Sequence, residues 1–209
     1  MKNGFIYPLF DSIIRFVYYC NLVELFKFLA KLCVGIYKKG EISTDEKVQV
    51  CNIAIDTYQI FKWLILLTFW KLETEHEAAL LATYYLLASN LFTYFYYHVW
   101  GSRYSQRIDR EALNRKFLNA LLAINYYLAG YAYLYNVHFS SEIMWPDNLI
   151  DSANAIYLSV ANAFTLTYGG FSPLTQEIRL VFMSQIINTF LFFTIIISNS
   201  IPNHAGKEE

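Results

Sequence analysis

What the chain has little of is charge. Asp, Glu, Lys and Arg together make up 16% of its 209 residues, whereas soluble globular chains carry about 25%. Too few polar side chains remain to coat a water-soluble particle. The formal charge of -1, from 16 basic and 17 acidic residues, leaves no basic footprint for nucleic acid. Cysteine is scarce too. Cys20, Cys33 and Cys51 are odd in number and lack metal-ligand spacing, which argues against a disulfide framework and against a zinc site. No clustered His, Asp and Ser set suggests an enzyme; His98, His138 and His204 stand singly. What is present is 56% hydrophobic and 19% aromatic, the opposite of a disordered composition. This is the make-up of an integral membrane protein.

Four stretches contain no Asp, Glu, Lys or Arg: 78–102, 117–141, 152–176 and 180–206. Each exceeds the ~20 residues a helix needs to cross the hydrocarbon core. A fifth, 52–72, carries Asp56 near one end and Lys62 near its middle, around a solidly apolar 63–70. Lys62 is expected to snorkel or to face a protein partner, because an unpaired charge inside a span is costly. The stretch 152–176 differs from the rest. A helical section, 152–164, gives way to Thr165-Leu166-Thr167-Tyr168-Gly169-Gly170-Phe171-Ser172-Pro173. Two adjacent glycines and a proline do not suit a lipid-facing helix, where freed backbone groups find no partner. It reads as a short helix followed by a re-entrant loop, which leaves four spans.

The first 40 residues resist assignment as a span, since Asp11, Arg15, Glu24, Lys27 and Lys31 interrupt them. At 100° per residue, Glu24, Lys27, Lys31 and Lys38 share an arc of roughly 60°, the pattern of a helix lying in the membrane interface. Asp11 and Arg15 fall on the other side of the wheel, which predicts a break within 18–21. A charged span packed against Asp56 and Lys62 is the open alternative. Orientation follows from the short loops. Arg103, Arg107, Arg110, Arg115 and Lys116 crowd into 101–116, and Lys38, Lys39 and Lys47 into 37–47. The segments 73–77 and 139–151 carry only Glu73, Glu75, Glu77, Glu142, Asp147 and Asp151. Basic loops are therefore expected in the cytoplasm, together with the C-terminus, for a chain in a plasma or inner membrane. Glu73, Glu75, His76 and Glu77 read as a solvated acidic loop rather than a divalent-cation site.

A span, a short helix, a glycine-bearing loop and a second span, in that order, resemble the pore unit of the potassium-channel family. That family shows an aromatic-Phe-Ser segment, then Thr-Thr-x-Gly-Tyr-Gly-Asp, then Pro-x-Thr and a downstream Arg. Here stand Tyr157-Leu158-Ser159, Thr165-Leu166-Thr167-Tyr168-Gly169-Gly170, Pro173-Leu174-Thr175 and Arg179 in the same order. The resemblance covers 117–202; residues 1–100 show no voltage-sensor arginine ladder. It implies a homotetramer in the lipid bilayer that passes monovalent cations, K+ and possibly Na+, with no cofactor and no enzymatic activity. It also implies that Thr165, Leu166, Thr167, Tyr168, Gly169 and Gly170 form the ion selectivity filter, where backbone carbonyls replace the water stripped from the ion. Thr167 stands where the family has glycine, and Gly170 where it commonly has aspartate. A β-branched residue forced to positive φ costs on the order of 1–3 kcal/mol, so strict potassium selectivity is in doubt.

In the last span Gln185, Asn188, Thr189, Phe192 and Asn199 share an arc of roughly 100°, and Gln185, Asn188, Phe192 and Asn199 are the expected pore lining. Interhelical hydrogen bonding is the plainer account of such an arc. The expected fold class is therefore all-α integral membrane protein, with about four transmembrane helices, an N-terminal amphipathic helix and a re-entrant pore helix with filter loop. Its expected parts are an interfacial helix (1–40), a two-helix membrane hairpin of unknown role (48–100), a basic cytoplasmic linker (101–116) and the pore domain (117–202). The functional alternative is a non-conducting regulatory or partner subunit that keeps a degenerate pore loop.

Overall fold

A computed structural model describes residues 4–37, 43–100, 110–146, 149–166 and 169–200. Seven α-helices occur among them, with one two-residue strand pair. The chain divides into two compact units, Met1–Ile65 and Leu66–Glu209.

The first unit holds α1 (Ile6–Tyr19), α2 (Leu22–Tyr37) and the beginning of α3 (Thr44–Lys71). The helix break falls at Cys20 and Asn21, inside the predicted interval. Its cause is local: the Asn21 side chain accepts the Val23 N–H at 3.1 Å and starts a new helix, as asparagine does at an N-terminus. The shared charged arc of α2 is not all turned outward. Lys27 is buried and pairs with Glu24 at 2.9 Å, and Glu24 also accepts the Tyr18 hydroxyl at 2.6 Å. Lys31 is exposed; Lys38 lies outside the described residues. Phe26 of α2 packs its ring on Tyr58 and Phe61 of α3, at 5.5 and 5.4 Å. Lys62 is buried, its ammonium 5.8 Å from the Tyr58 ring centre, an attraction of the cation–π kind. A capping box starts α3: Ser43 Oγ accepts from Glu46 N–H while the Glu46 carboxylate accepts from Ser43 N–H, both at 3.2 Å.

The second unit contains the end of α3, then α4 (Glu77–Phe95), α5 (Arg110–Tyr133), α6 (Ser152–Ala163) and α7 (Gln176–Ser200). α3 stops because Glu73 takes φ +46° and the Thr74 N–H reaches back to the Phe69 carbonyl at 3.0 Å, a left-handed cap. His76 then caps α4 by accepting the Ala78 N–H at 3.1 Å. Both α4 and α5 continue into π-helical turns, Tyr96–Trp100 and Leu134–His138. The two helices run antiparallel and touch closely. Asn90 of α4 donates to the Ala123 carbonyl at 2.9 Å, and a Cβ on Gly130 would sit 2.7 Å from Leu87 Cδ2. Glycine at that point is what permits the approach.

Among the described residues, three helices are long and apolar enough to cross a membrane: Val48–Lys71, Glu77–Phe95 and Gln176–Ile196. The uncharged stretch 117–141 is not among them, and the packing explains why. α5 packs against α4 and α6 and reaches α7 through its tyrosines, and Tyr126, Tyr127, Tyr131, Tyr133 and Tyr135 at its end are all almost wholly buried. A helix enclosed by other helices can carry polar tips that lipid-facing helices cannot. Its hydropathy is lowered by those buried tyrosines, together with Asn119 and the exposed Asn125.

Candidate functional site

α6 begins at Asp151, whose carboxylate accepts the Asn154 N–H at 2.6 Å. Its buried face carries Ser159 and Asn162, and facing them from α7 is Gln185; all three are fully excluded from solvent. The Gln185 amide nitrogen donates to the Ser159 carbonyl and hydroxyl, each at 2.9 Å. Its amide oxygen accepts from Tyr135 at 2.6 Å and from Asn162 at 2.7 Å. Asn162 donates as well to the Phe182 carbonyl at 3.1 Å, and the Ser159 hydroxyl donates to the Leu128 carbonyl at 2.8 Å. One carboxamide thus joins α5, α6 and α7. Burying it without these partners would be costly, and with them it fixes the position of α6.

Above this network α6 unwinds. Thr165 N–H and Leu166 N–H return to the Asn162 and Ala161 carbonyls at 3.1 and 2.8 Å. Thr165 itself takes φ +53°, an uncommon state for a β-branched residue that costs on the order of 1–3 kcal/mol. Thr165, Leu166, Gly169 and Gly170 are exposed. Thr167 and Tyr168, the two residues on which the filter reading leans most, lie outside the described residues.

The outgoing leg is fastened firmly. Gly170 takes φ +89°, and a Cβ there would lie 3.1 Å from Pro146 Cβ. The positive φ favours glycine and the tight approach to Pro146 adds to it, which is a physical reason for its presence where the resembled family has aspartate. Phe171 is buried, its ring 5.5 Å from Trp145 and 6.0 Å from Tyr157. Next, β2 (Ser172–Pro173) pairs antiparallel with β1 (Ile143–Met144). Leu174 N–H donates to the Glu142 carbonyl at 2.8 Å, the Thr175 hydroxyl donates to the Glu142 carboxylate, and Thr175 Oγ1 accepts the Ile178 N–H of α7 at 3.3 Å. The segment before α6 and the segment after the loop are therefore one strapped unit.

The expected pore lining divides. Gln185 is internal, as described. Phe192 is buried as well, with its ring 5.5 Å from Tyr94 and 5.4 Å from Tyr127. Neither presents itself to an open path beside the chain. Asn188 donates to the Tyr131 hydroxyl at 3.0 Å and borders a cavity, while the Asn199 side chain lies outside the described residues. The polar arc of α7 faces its own bundle, because a hydrogen-bonding group in a membrane is best satisfied between helices. Outward stands an apolar stripe instead: Leu180, Met183, Ile187 and Phe190, each more than half exposed.

Sequence reasoning missed the partners of this arc, although α5 carries the signal. Tyr127, Tyr131 and Tyr135 recur every four residues on one helix face. Tyr127 reaches Thr189 at 2.9 Å and the Gln185 carbonyl, Tyr131 reaches Ser184 at 2.9 Å, and Tyr135 reaches the Gln185 side chain. Of the acidic loop, His76 is spent on the α4 cap. Among the described residues no three His, Cys, Asp or Glu side chains converge as a metal site would require. No protein-family model matches the chain, and no curated protein and no solved structure matches it either.

Proposed function

We propose that this chain is one subunit of a homotetrameric channel that conducts monovalent cations, chiefly K+ with some Na+. The observation that carries the reading is the suspended loop. A short helix held by a buried carboxamide ends at the exposed Thr165 and Leu166, and the leg that resumes at the exposed Gly169 and Gly170 is strapped to the segment before the helix. The C-terminal end of α6 bears the negative pole of its helix dipole, which favours a cation beside it. In this reading α3, α4, α5 with its π-turn, and α7 make four spans. The segments rich in Lys and Arg and the C-terminus lie in the cytoplasm, and the loop enters from the acidic side. One loop cannot surround an ion, so four copies close the ring. The outward stripe of Leu180, Met183, Ile187 and Phe190 supplies an apolar face for neighbouring subunits or the axis. Thr165 through Gly170 coordinate the ion, and Thr167, in place of glycine, weakens the discrimination between K+ and Na+.

A second reading, a non-conducting partner subunit with a pore-like loop, draws support from the inward direction of Gln185 and Phe192. Reconstitution separates the two. Purified protein in planar bilayers under opposed KCl and NaCl gradients should show unitary cation currents, and its detergent-corrected mass should be four times 24.5 kDa. Silent bilayers from a stable oligomer would reject conduction. Currents from a clean monomer would reject the tetrameric filter.

A further inference from the structure

A cavity of about 700 Å³ opens between α4, α5 and α7, separate from the loop. It extends from Tyr84 of α4 to Val99 of the following π-turn and along α7 from Ser184 to Ile195, and among the described residues no Asp, Glu, Lys, Arg or His lines it. Its main polar groups sit together and satisfy one another: the Tyr131 hydroxyl is 2.9 Å from Ser184 Oγ and 3.0 Å from Asn188 Nδ2. The remaining wall is largely Leu91, Phe92, Phe95, Leu191 and Ile195. At the rim, Val99 is 38% and Leu191 42% exposed. Such a wall rejects ions and hydrated solutes, and a void of this size forfeits the contacts of a close-packed interior. Its volume is that of a ligand site rather than a packing defect.

Length and charge identify the occupant. Ser184 to Ile195 spans about 16 Å of helix rise, close to the ~15 Å that one leaflet contributes to the hydrocarbon core. The cavity therefore runs from near the middle of the Gln176–Ile196 span to its C-terminal end. At that end the chain turns basic. Because Asn90 meets Ala123 while Leu87 meets Gly130, the start of α5, with the half-buried Arg115, lies beside the end of α4. We infer that the cavity holds one acyl chain of an anionic glycerophospholipid from the leaflet bordering Arg115 at the start of α5. The chain end abuts the Tyr131–Ser184–Asn188 cluster, and the phosphate lies toward Arg115. This rests on α4 and α7 lying in a bilayer and is independent of conduction.

The test uses the full chain in vesicles doped with phosphatidylglycerol or phosphatidylcholine bearing a photoactivatable diazirine near one acyl terminus. Labelled peptides are mapped after irradiation. The expected label falls on Leu91, Ser184 and Asn188, with phosphatidylglycerol ahead by at least about fivefold, the value of one Lys or Arg near an anionic surface. Ala88→Trp, which fills the cavity, should cut that label at least about tenfold, one decade of affinity, and leave labelling of exposed Phe117 and Leu118 unchanged. Val99→Trp at the rim should act in the same way should Ala88→Trp fail to fold. Equal labelling by the two lipids, or cavity label no stronger than that at Phe117 and Leu118, overturns the inference. Absence of label from every helix would overturn the membrane reading along with it.

Discussion

Replacing Gln185 by leucine keeps the volume of the side chain and deletes its four hydrogen bonds, two at 2.9 Å, one at 2.6 Å and one at 2.7 Å. In a water-soluble core each orphaned partner would cost about 1–3 kcal/mol. Here the partners are only half abandoned. The Tyr135 hydroxyl still accepts from Asn162 at 3.2 Å, and Asn162 still reaches the Phe182 carbonyl. The smaller scale measured between membrane helices, about 0.6 kcal/mol per bond, is therefore the appropriate one. Four such bonds give about 2–3 kcal/mol, which for a chain of this size lowers the melting temperature by about 5–10 °C. Intrinsic tryptophan fluorescence during heating in detergent reads this directly. The matched control is Asn188→Leu, which removes one bond at the cavity wall and should shift the transition by about 1–2 °C on the same scale. The double variant of Gln185→Leu with Asn162→Leu should lose less than the sum of the singles by at least about 0.5 kcal/mol, since both cut the same bond. Equal melting of Gln185→Leu and wild type, or strict additivity in the double variant, would refute the claim that this carboxamide fixes α6.

The adjacent glycines should separate fold from conduction. Gly169→Val meets nothing within 4 Å and should leave the melting transition in place while abolishing current, whereas Gly170→Val should lower it by several degrees, through positive φ and Pro146; equal melting of the two would reject the assignment. Glu142→Leu, which frees the Thr175 hydroxyl, should speed hydrogen exchange in 171–175 and leave α4 unchanged; no difference would show that the strap is incidental. Reversal potentials should show weak potassium selectivity in the wild type and a higher ratio in Thr167→Gly, and strong wild-type selectivity would contradict the filter reading. Finally, cysteine-accessibility tags near Glu75 and near Arg107 should report opposite sides of the membrane. The same side for both would remove the four-span topology.

Some of this was legible in the sequence, and the reasons differ by element. The break after α1 could be located because charges on opposite sides of one wheel cannot belong to one straight amphipathic helix, and Asn21 is a capping residue. The end of α6 followed from paired glycines and a proline, which no lipid-facing helix accommodates. On α7 periodicity found the polar arc but not its direction. A wheel tells which side chains share a face, and only the tyrosines of α5 decide that Gln185 and Phe192 look inward. Thr165 carries positive φ that its own identity opposes, so nothing local announced it; the packing of α6 and the strapped leg impose it. The uncharged run at 117–141 was expected to resemble its neighbours, yet only its beginning, with Phe117 and Leu118, is exposed, while its tyrosine-rich end is enclosed by protein, and burial by protein and burial by lipid leave different compositions.

The tyrosines of α5 also constrain how the molecule can move. Tyr127, Tyr131 and Tyr135 grip α7 at successive heights, so a slip of α7 by one residue, about 1.5 Å, would strip all three anchors at once. A slip by a full turn, about 5.4 Å, is the next position at which side chains would return to similar places, and it would set either Tyr135 against Val181 or Tyr127 against Phe193, leaving one hydroxyl of the three without its partner. Sliding is thereby penalised, and with no glycine between 179 and 201 α7 has no hinge of its own. The two helices swing as a single lever, and α6, joined to both through Gln185, travels with them.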